Sequence, residues 1–216
     1  MMQGCRARGI AGIVSRGMVW LLLILGLVPF LHGQQAKAQL RQARLHVALA
    51  AGVYQGSGGF PDVASRNLAG LQLESENIWP GSRYSFLMIG QAHFDSETSV
   101  LAEMLVALGG AFYLREPVRP EVQTGQEFLL SQQQIWNVRL AAFGGLGRKL
   151  LRPFEVGELE ANTDIVVVGT SALLIFPVTQ TWSLVLGPGG HSSIGVGRYD
   201  SFGQSLMFRL GFEVGL

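Results

Sequence analysis

The sequence predicts an all-β fold: an eight-stranded antiparallel up-and-down transmembrane β-barrel preceded by a cleaved signal peptide. Three observations carry that expectation. The N-terminus runs from basic to apolar to small residues. The rest of the chain is apolar, yet it lacks any run of the roughly 20 apolar residues that a spanning helix needs. Apolar residues instead recur at every second position, in segments separated by turn formers. A bilayer-crossing segment must satisfy its backbone polar groups internally, which leaves helices and closed barrels. Barrel strands need only about 9–11 residues of period two.

The leader comes first. Arg6, Arg8 and Arg16 precede the apolar run Met18–Leu31, and no acidic residue occurs before Asp62. The run contains Pro29 and is too short to span. Ala36-Lys37-Ala38 has the small-x-small pattern cut by a signal peptidase. The expected division is therefore a signal peptide over 1–38, with the cleavage site marked by Ala36 and Ala38, and a barrel domain over 39–216. Cys5 precedes the apolar run and is followed by Arg6, which does not suit a lipoprotein attachment site.

Cleavage changes the chemistry. Four of the 16 basic residues leave with the leader, so the mature chain has 12 basic against 15 acidic residues, a net charge of −3. A nucleic-acid partner then lacks its electrostatic basis. Cys5 is the single cysteine, so no disulfide or thiolate site is expected. The histidines (His32, His46, His93, His191) show no metal-ligand spacing, and no glycine-rich loop joins a strand to a helix. No cofactor or metal is expected on these grounds.

Strands follow from period two. Leu45, Val47, Leu49, Ala51 and Val53 alternate with Arg44, His46, Ala48, Ala50 and Gly52. Ala102, Met104, Val106 and Leu108 alternate with Leu101, Glu103, Leu105 and Ala107. Trp136, Val138, Leu140 and Ala142 alternate with Asn137, Arg139, Ala141 and Phe143. Leu206, Phe208, Leu210, Phe212 and Val214 alternate with Ser205, Met207, Arg209, Gly211 and Glu213. Stretches near Leu71, Leu87, Ile165 and Leu184 alternate less cleanly and are placed partly by spacing.

Seven connections separate eight strands. They are Gln55–Asn67, Ile78–Arg83, Asp95–Thr98, Glu116–Gln126, Gly147–Thr163, Phe176–Thr181 and the glycine-rich Gly187–Gly203. A fourth connection centred near Glu121 sets Glu103 opposite Arg139. Trp79, Tyr84, Phe176 and Trp182 flank the inward turns, with Tyr54, Phe94 and Tyr199 near the outward ends, as interfacial girdles require. Eight strands enclose an interior that side chains can fill. Glu103, Arg139, Arg209, Glu213 and His46 belong to the polar sets and are expected to pair there, with Glu213 near Arg44 or His46 where the barrel closes.

The last eight residues, Arg209 to Leu216, resemble the C-terminal β-signal of outer-membrane proteins. Arg209, Gly211, Val214 and Leu216 fill its defining places, with leucine where many such proteins end in phenylalanine. The resemblance implies a bacterial outer-membrane location and recognition by the barrel-assembly machinery. In architecture the mature chain is similar to OmpX-like and OmpA-like barrels. That similarity implies a structural, surface-protection or adhesion role, contact with outer-membrane lipid, an extracellular ligand at the loops, and a monomer.

His191 and Ser193 resemble the His-x-Ser of lipid A 3-O-deacylases, which implies a base, a nucleophile and an orienting acid at Asp200. Ile194 stands where that family usually has asparagine, and the acid is not at the family's spacing. A glycine-rich surface loop accounts for the same residues, so no catalytic residue is assigned. A narrow channel or a periplasmic lipocalin-like binding barrel are the remaining alternatives.

Overall fold

The computed structural model describes residues 42–58, 65–79, 81–95, 101–122, 128–132, 136–151, 161–179, 181–196 and 201–215. The leader with Ala36 and Ala38, and also Tyr199, Asp200 and Leu216, lie outside the described residues. The described residues form ten strands: β1 (Gln42–Gly58), β2 (Arg66–Ile78), β3 (Tyr84–Asp95), β4 (Leu101–Tyr113), β5 (Val118–Val122), β6 (Phe128–Gln132), β7 (Asn137–Leu151), β8 (Ala161–Pro177), β9 (Trp182–Val196) and β10 (Ser201–Gly215). Eight of them close a barrel in the order β1-β10-β9-β8-β7-β4-β3-β2, every pair antiparallel. Strands β5 and β6 form a separate two-stranded sheet. Among the described residues no helix is long and apolar enough to cross a membrane. The strands are what cross.

Closure follows from the even strand number. The start of β1 meets the end of β10, with Arg44 opposite Gly215 and Gly58 opposite Ser201, so these two strand ends share one rim. That rim is called the terminal rim below, and the other the loop rim. Closure leaves no unpaired edge in the barrel wall, the condition for placing a sheet in hydrocarbon.

The alternation places side chains as period two requires. Leu49, Leu108, Leu140, Leu146, Val168, Leu206, Phe208 and Leu210 are exposed on the outside, while Arg44, His46, Glu103, Arg139, Arg209 and Glu213 are buried within. Two of the segments that alternated poorly, near Leu87 and Ile165, have a physical explanation. Leu87, Ile89, Leu105, Ala107, Phe143, Ile165 and Val167 form an apolar cluster inside the barrel on the β3-β4-β7-β8 wall. Strands apolar on both faces carry no period-two contrast.

Two boundaries differ from the sequence expectation. The segment Gly187–Gly203 is not a long loop, because β9 continues to Val196 and β10 begins at Ser201. Its glycines sit in the ladder and make room for large inward side chains. A Cβ at Gly189 would lie 2.7 Å from Cζ of Arg209. Pro188, lacking an N–H, sits where the β8–β9 ladder is interrupted between its Ser171–Gly189 and Leu174–Leu186 pairs.

The second difference is the connection between β4 and β7. It holds the β5–β6 hairpin, with Val118 opposite Gln132, so the next barrel strand begins at Asn137 rather than near Gln126. The register shifts accordingly. Arg139 faces Tyr113, and Glu103 faces Lys149. The expected Glu103–Arg139 contact is therefore incorrect, because residues near Phe128 that read as a barrel strand are one arm of the hairpin.

The β2–β3 and β8–β9 turns at the terminal rim are tight. Ser82 donates its backbone N–H to the Trp79 carbonyl at 3.0 Å, and Gly81 between them has φ of 74°, as a type II turn requires. Gly169 answers a different need, since a Cβ there would stand 2.3 Å from Cζ of Phe143 in the lumen. Gly169→Leu is expected to destabilise the barrel by roughly 1–3 kcal/mol through overpacking. Urea unfolding of the refolded protein checks this, and an unchanged midpoint would show that the Phe143 ring is free to move aside.

Candidate functional site: two polar layers in the lumen

The interior carries two groups of buried polar residues at different heights. The lower group lies toward the terminal rim and comes from β1, β2, β3, β4, β7 and β10. Arg139 is 0% exposed and is ion-paired with both Glu74 and Glu76, the latter at 3.0 Å. Glu76 also accepts hydrogen bonds from Ser85 and from the Tyr113 hydroxyl (2.6 Å), and its Oε2 lies 2.9 Å from Nε2 of His46. Arg44 pairs with Glu213, whose other oxygen lies 3.4 Å from Nδ1 of His46. Gln91 donates to Gln72 at 2.9 Å, and Gln72 donates to Glu74 at 3.1 Å. Buried charges are tolerable when paired and hydrogen-bonded in this way.

The lower layer also anchors the hairpin. Arg44 donates to the Pro117 carbonyl at 3.4 Å, and the Asn137 side chain bonds both the N–H and the carbonyl of Arg115 at 3.0 and 2.8 Å.

The upper group lies toward the loop rim. The Lys149 ammonium donates to the Tyr54 hydroxyl at 2.7 Å and to Oγ of Ser193 at 3.0 Å. His191 Nε2 lies 2.9 Å from Glu103 Oε2, and the rings of His191 and His93 stack at 5.9 Å. Tyr54, expected at an outer interface, is instead 3% exposed and turned inward, because it shares parity with Arg44 and His46 on β1.

The five sequence-expected lumen residues are all buried, but they fall into different neighbourhoods. His46 and Glu213 lie together in the lower layer, where Arg139 also sits, while Glu103 belongs to the upper one. Arg209 is 2% exposed on β10 and makes no ion pair among the described residues. Sequence reasoning missed Glu74, Glu76, His93 and Lys149. A signal for the first two was present, since Gln72, Glu74 and Glu76 alternate with Leu71, Leu73 and Ser75.

His191 and Ser193 stand on strand β9 rather than in a loop, and both face the lumen. Their hydrogen-bond partners are Glu103 and Lys149, not each other.

The exterior completes the picture. An aromatic girdle at the terminal rim comprises Trp79, Tyr84, Phe86, Trp136, Phe176, Trp182 and Phe212, all exposed, with Tyr84 against Phe112 at 5.4 Å and Trp182 against Phe212 at 6.4 Å. Toward the loop rim the outer face turns polar at Arg148 and Asp164, which are ion-paired at 3.0 Å.

No family model and no curated protein matches the chain. Among solved structures, Neisserial surface protein A (NspA) has a TM-score of 0.54 at 12% identity, covering 80% of this chain and 96% of its own. The fold is that of a small outer-membrane β-barrel. The N-terminal β-barrel domain of Pseudomonas aeruginosa OprF gives 0.41 at 11% identity, over 79% of this chain and 97% of that one. The attachment invasion locus protein Ail of Yersinia pestis gives 0.46 at 10% identity, over 80% and 99%. An apolar outer belt, an aromatic girdle and a polar interior place this barrel in the bacterial outer membrane.

Proposed function

We propose that this barrel is a surface protein of the outer membrane, with a structural, protective or adhesive role carried by its loop rim, and that its lumen conducts no solutes. One observation carries the reading. The interior is filled by paired charges below and by Lys149, Tyr54, Ser193, His191 and Glu103 above, all 5% exposed or less. Eight strands enclose an interior just wide enough for such a filling. The terminal rim is then the periplasmic side, and the loops between β1 and β2, β3 and β4, β7 and β8, and β9 and β10 face outward. NspA is by its name a surface protein, which agrees with this role.

Two measurements test the proposal together. Planar-bilayer recording of the purified barrel is expected to show no stable, large conductance. Expression in a strain lacking its own small surface barrels is expected to change adherence to a cell monolayer or survival in serum. A steady solute-sized conductance would replace the surface role with a channel. Unchanged adherence and survival at full surface expression would remove it.

A further inference from the structure

We infer that His93, His191 and Glu103 form a binding site for a borderline divalent transition-metal ion, of the zinc type, inside the upper lumen. His93 and Glu103 are ladder partners on the neighbouring strands β3 and β4, and barrel closure brings His191 of β9 against them. All are buried, and one ligand atom from each lies within 4.8 Å of the other two. Zinc binds imidazole nitrogen and carboxylate oxygen at about 2.0–2.2 Å, which puts tetrahedral ligands roughly 3.3–3.6 Å apart. His191 and Glu103 already stand 2.9 Å apart. Only modest rotation of the side chains separates the present arrangement from a coordinating one.

The unpartnered atoms point the same way. Among the described residues, both ring nitrogens of His93, Nδ1 of His191 and Oε1 of Glu103 are buried without a hydrogen-bond partner. Buried polar atoms are rarely left so, and each such atom calls for a cause. A dication bound by two imidazoles and a carboxylate would use the lone pairs of His93 and Glu103 directly.

Comparison with the lower layer sharpens the point. His46, Glu74 and Glu76 also stand within metal-binding distance of one another. There, however, Arg139 already occupies the carboxylates and Tyr113 and Ser85 donate to Glu76. The upper set has no such tenant. Lys149 faces Glu103 across the ladder, but its ammonium is turned to Tyr54 and Ser193, and no Lys149–Glu103 ion pair forms. Arg209 is the other nearby cation, felt electrostatically at His93. Donor chemistry selects the ion, because two nitrogens and one oxygen suit zinc, copper or nickel, whereas magnesium and calcium prefer oxygen alone. One coordination position stays open for water, as only three protein ligands are supplied. The loop rim is the entry side, since His93 and Glu103 each lie two residues from the loop-rim end of their strands.

The test is titration calorimetry of zinc chloride into the detergent-solubilised barrel, with heat-modifiable gel mobility confirming that each variant is folded. One equivalent of zinc is expected to bind, and magnesium chloride is expected to give no heat beyond dilution. His93→Ala and the near-isosteric Glu103→Gln are each expected to weaken zinc binding by about tenfold or more, since even supporting groups of a metal site cost that much. His46→Ala is expected to leave it unchanged. Absence of zinc binding to the unmutated barrel would overturn the site. So would an affinity in both upper-layer variants equal to that of the unmutated barrel, or loss of binding in His46→Ala alone.

Discussion

Arg139→Met is expected to lower the unfolding free energy of the barrel by roughly 3–5 kcal/mol, the usual cost of stripping a buried ion pair of one partner. The guanidinium is wholly buried and holds two carboxylates, Glu74 and Glu76. Ser85, Tyr113 and His46 surround Glu76 with hydrogen bonds, but the two hydroxyls carry no charge to replace the lost one. Two anions next to each other in a low-dielectric lumen would repel and lack hydration. The triple variant Arg139→Met, Glu74→Gln, Glu76→Gln is therefore expected to regain most of the loss, because neutral replacement of a whole buried cluster is often tolerated. Urea unfolding in lipid vesicles measures both. A loss below about 1 kcal/mol in the single variant would mean that water reaches this layer and that the lumen is not filled.

Leu49→Arg should be nearly as damaging, for a reason belonging to the other face of the wall. Leu49 is 69% exposed and stands in one row with Leu210 of β10 and Leu71 of β2, at mid-height of the apolar belt. Arginine at the bilayer midplane of a barrel costs roughly 2–4 kcal/mol, falling to about 0–1 near an interface. Gln55→Arg, farther along the same strand in a row with Gln204 and Ser192, is expected to cost close to nothing. The comparison is made in vesicles rather than in detergent, whose micelle accommodates charge more readily. Equal costs at both positions would displace the membrane from the belt assigned to it.

Architecture was the legible part of this chain. Period-two alternation on β1, β4, β7 and β10 is a local property, since successive residues of a strand must face opposite sides whatever the strand pairs with. Inward Arg209 and Glu213, and outward Phe208 and Leu210, follow from parity alone once one face is known to meet lipid. Strand number needed only the turn formers between such segments. Where both faces were apolar, as along Leu87 and Ile165, the local signal vanished, and only packing inside the barrel explains those residues.

What the tertiary structure decided is which inward residues meet. Register between strands depends on the length and internal pairing of each connection, and the β5–β6 hairpin moved Arg139 from Glu103 to Tyr113 without altering the parity of either residue. Gly189 of β9 reads as a loop residue, but its use is spatial: it leaves room for Arg209 from the neighbouring strand, a contact that no local pattern records. His191 and Ser193 changed from loop residues to lumen residues for the same reason. The meeting of His93, Glu103 and His191 is the furthest case: the first two pair across the neighbouring strands β3 and β4, but His191 of β9 reaches them only when the sheet closes on itself. The sequence alone determined the faces of this barrel, because facing is set by neighbours one residue away. Closure and register decided its interior chemistry, because they are set by residues tens of positions apart.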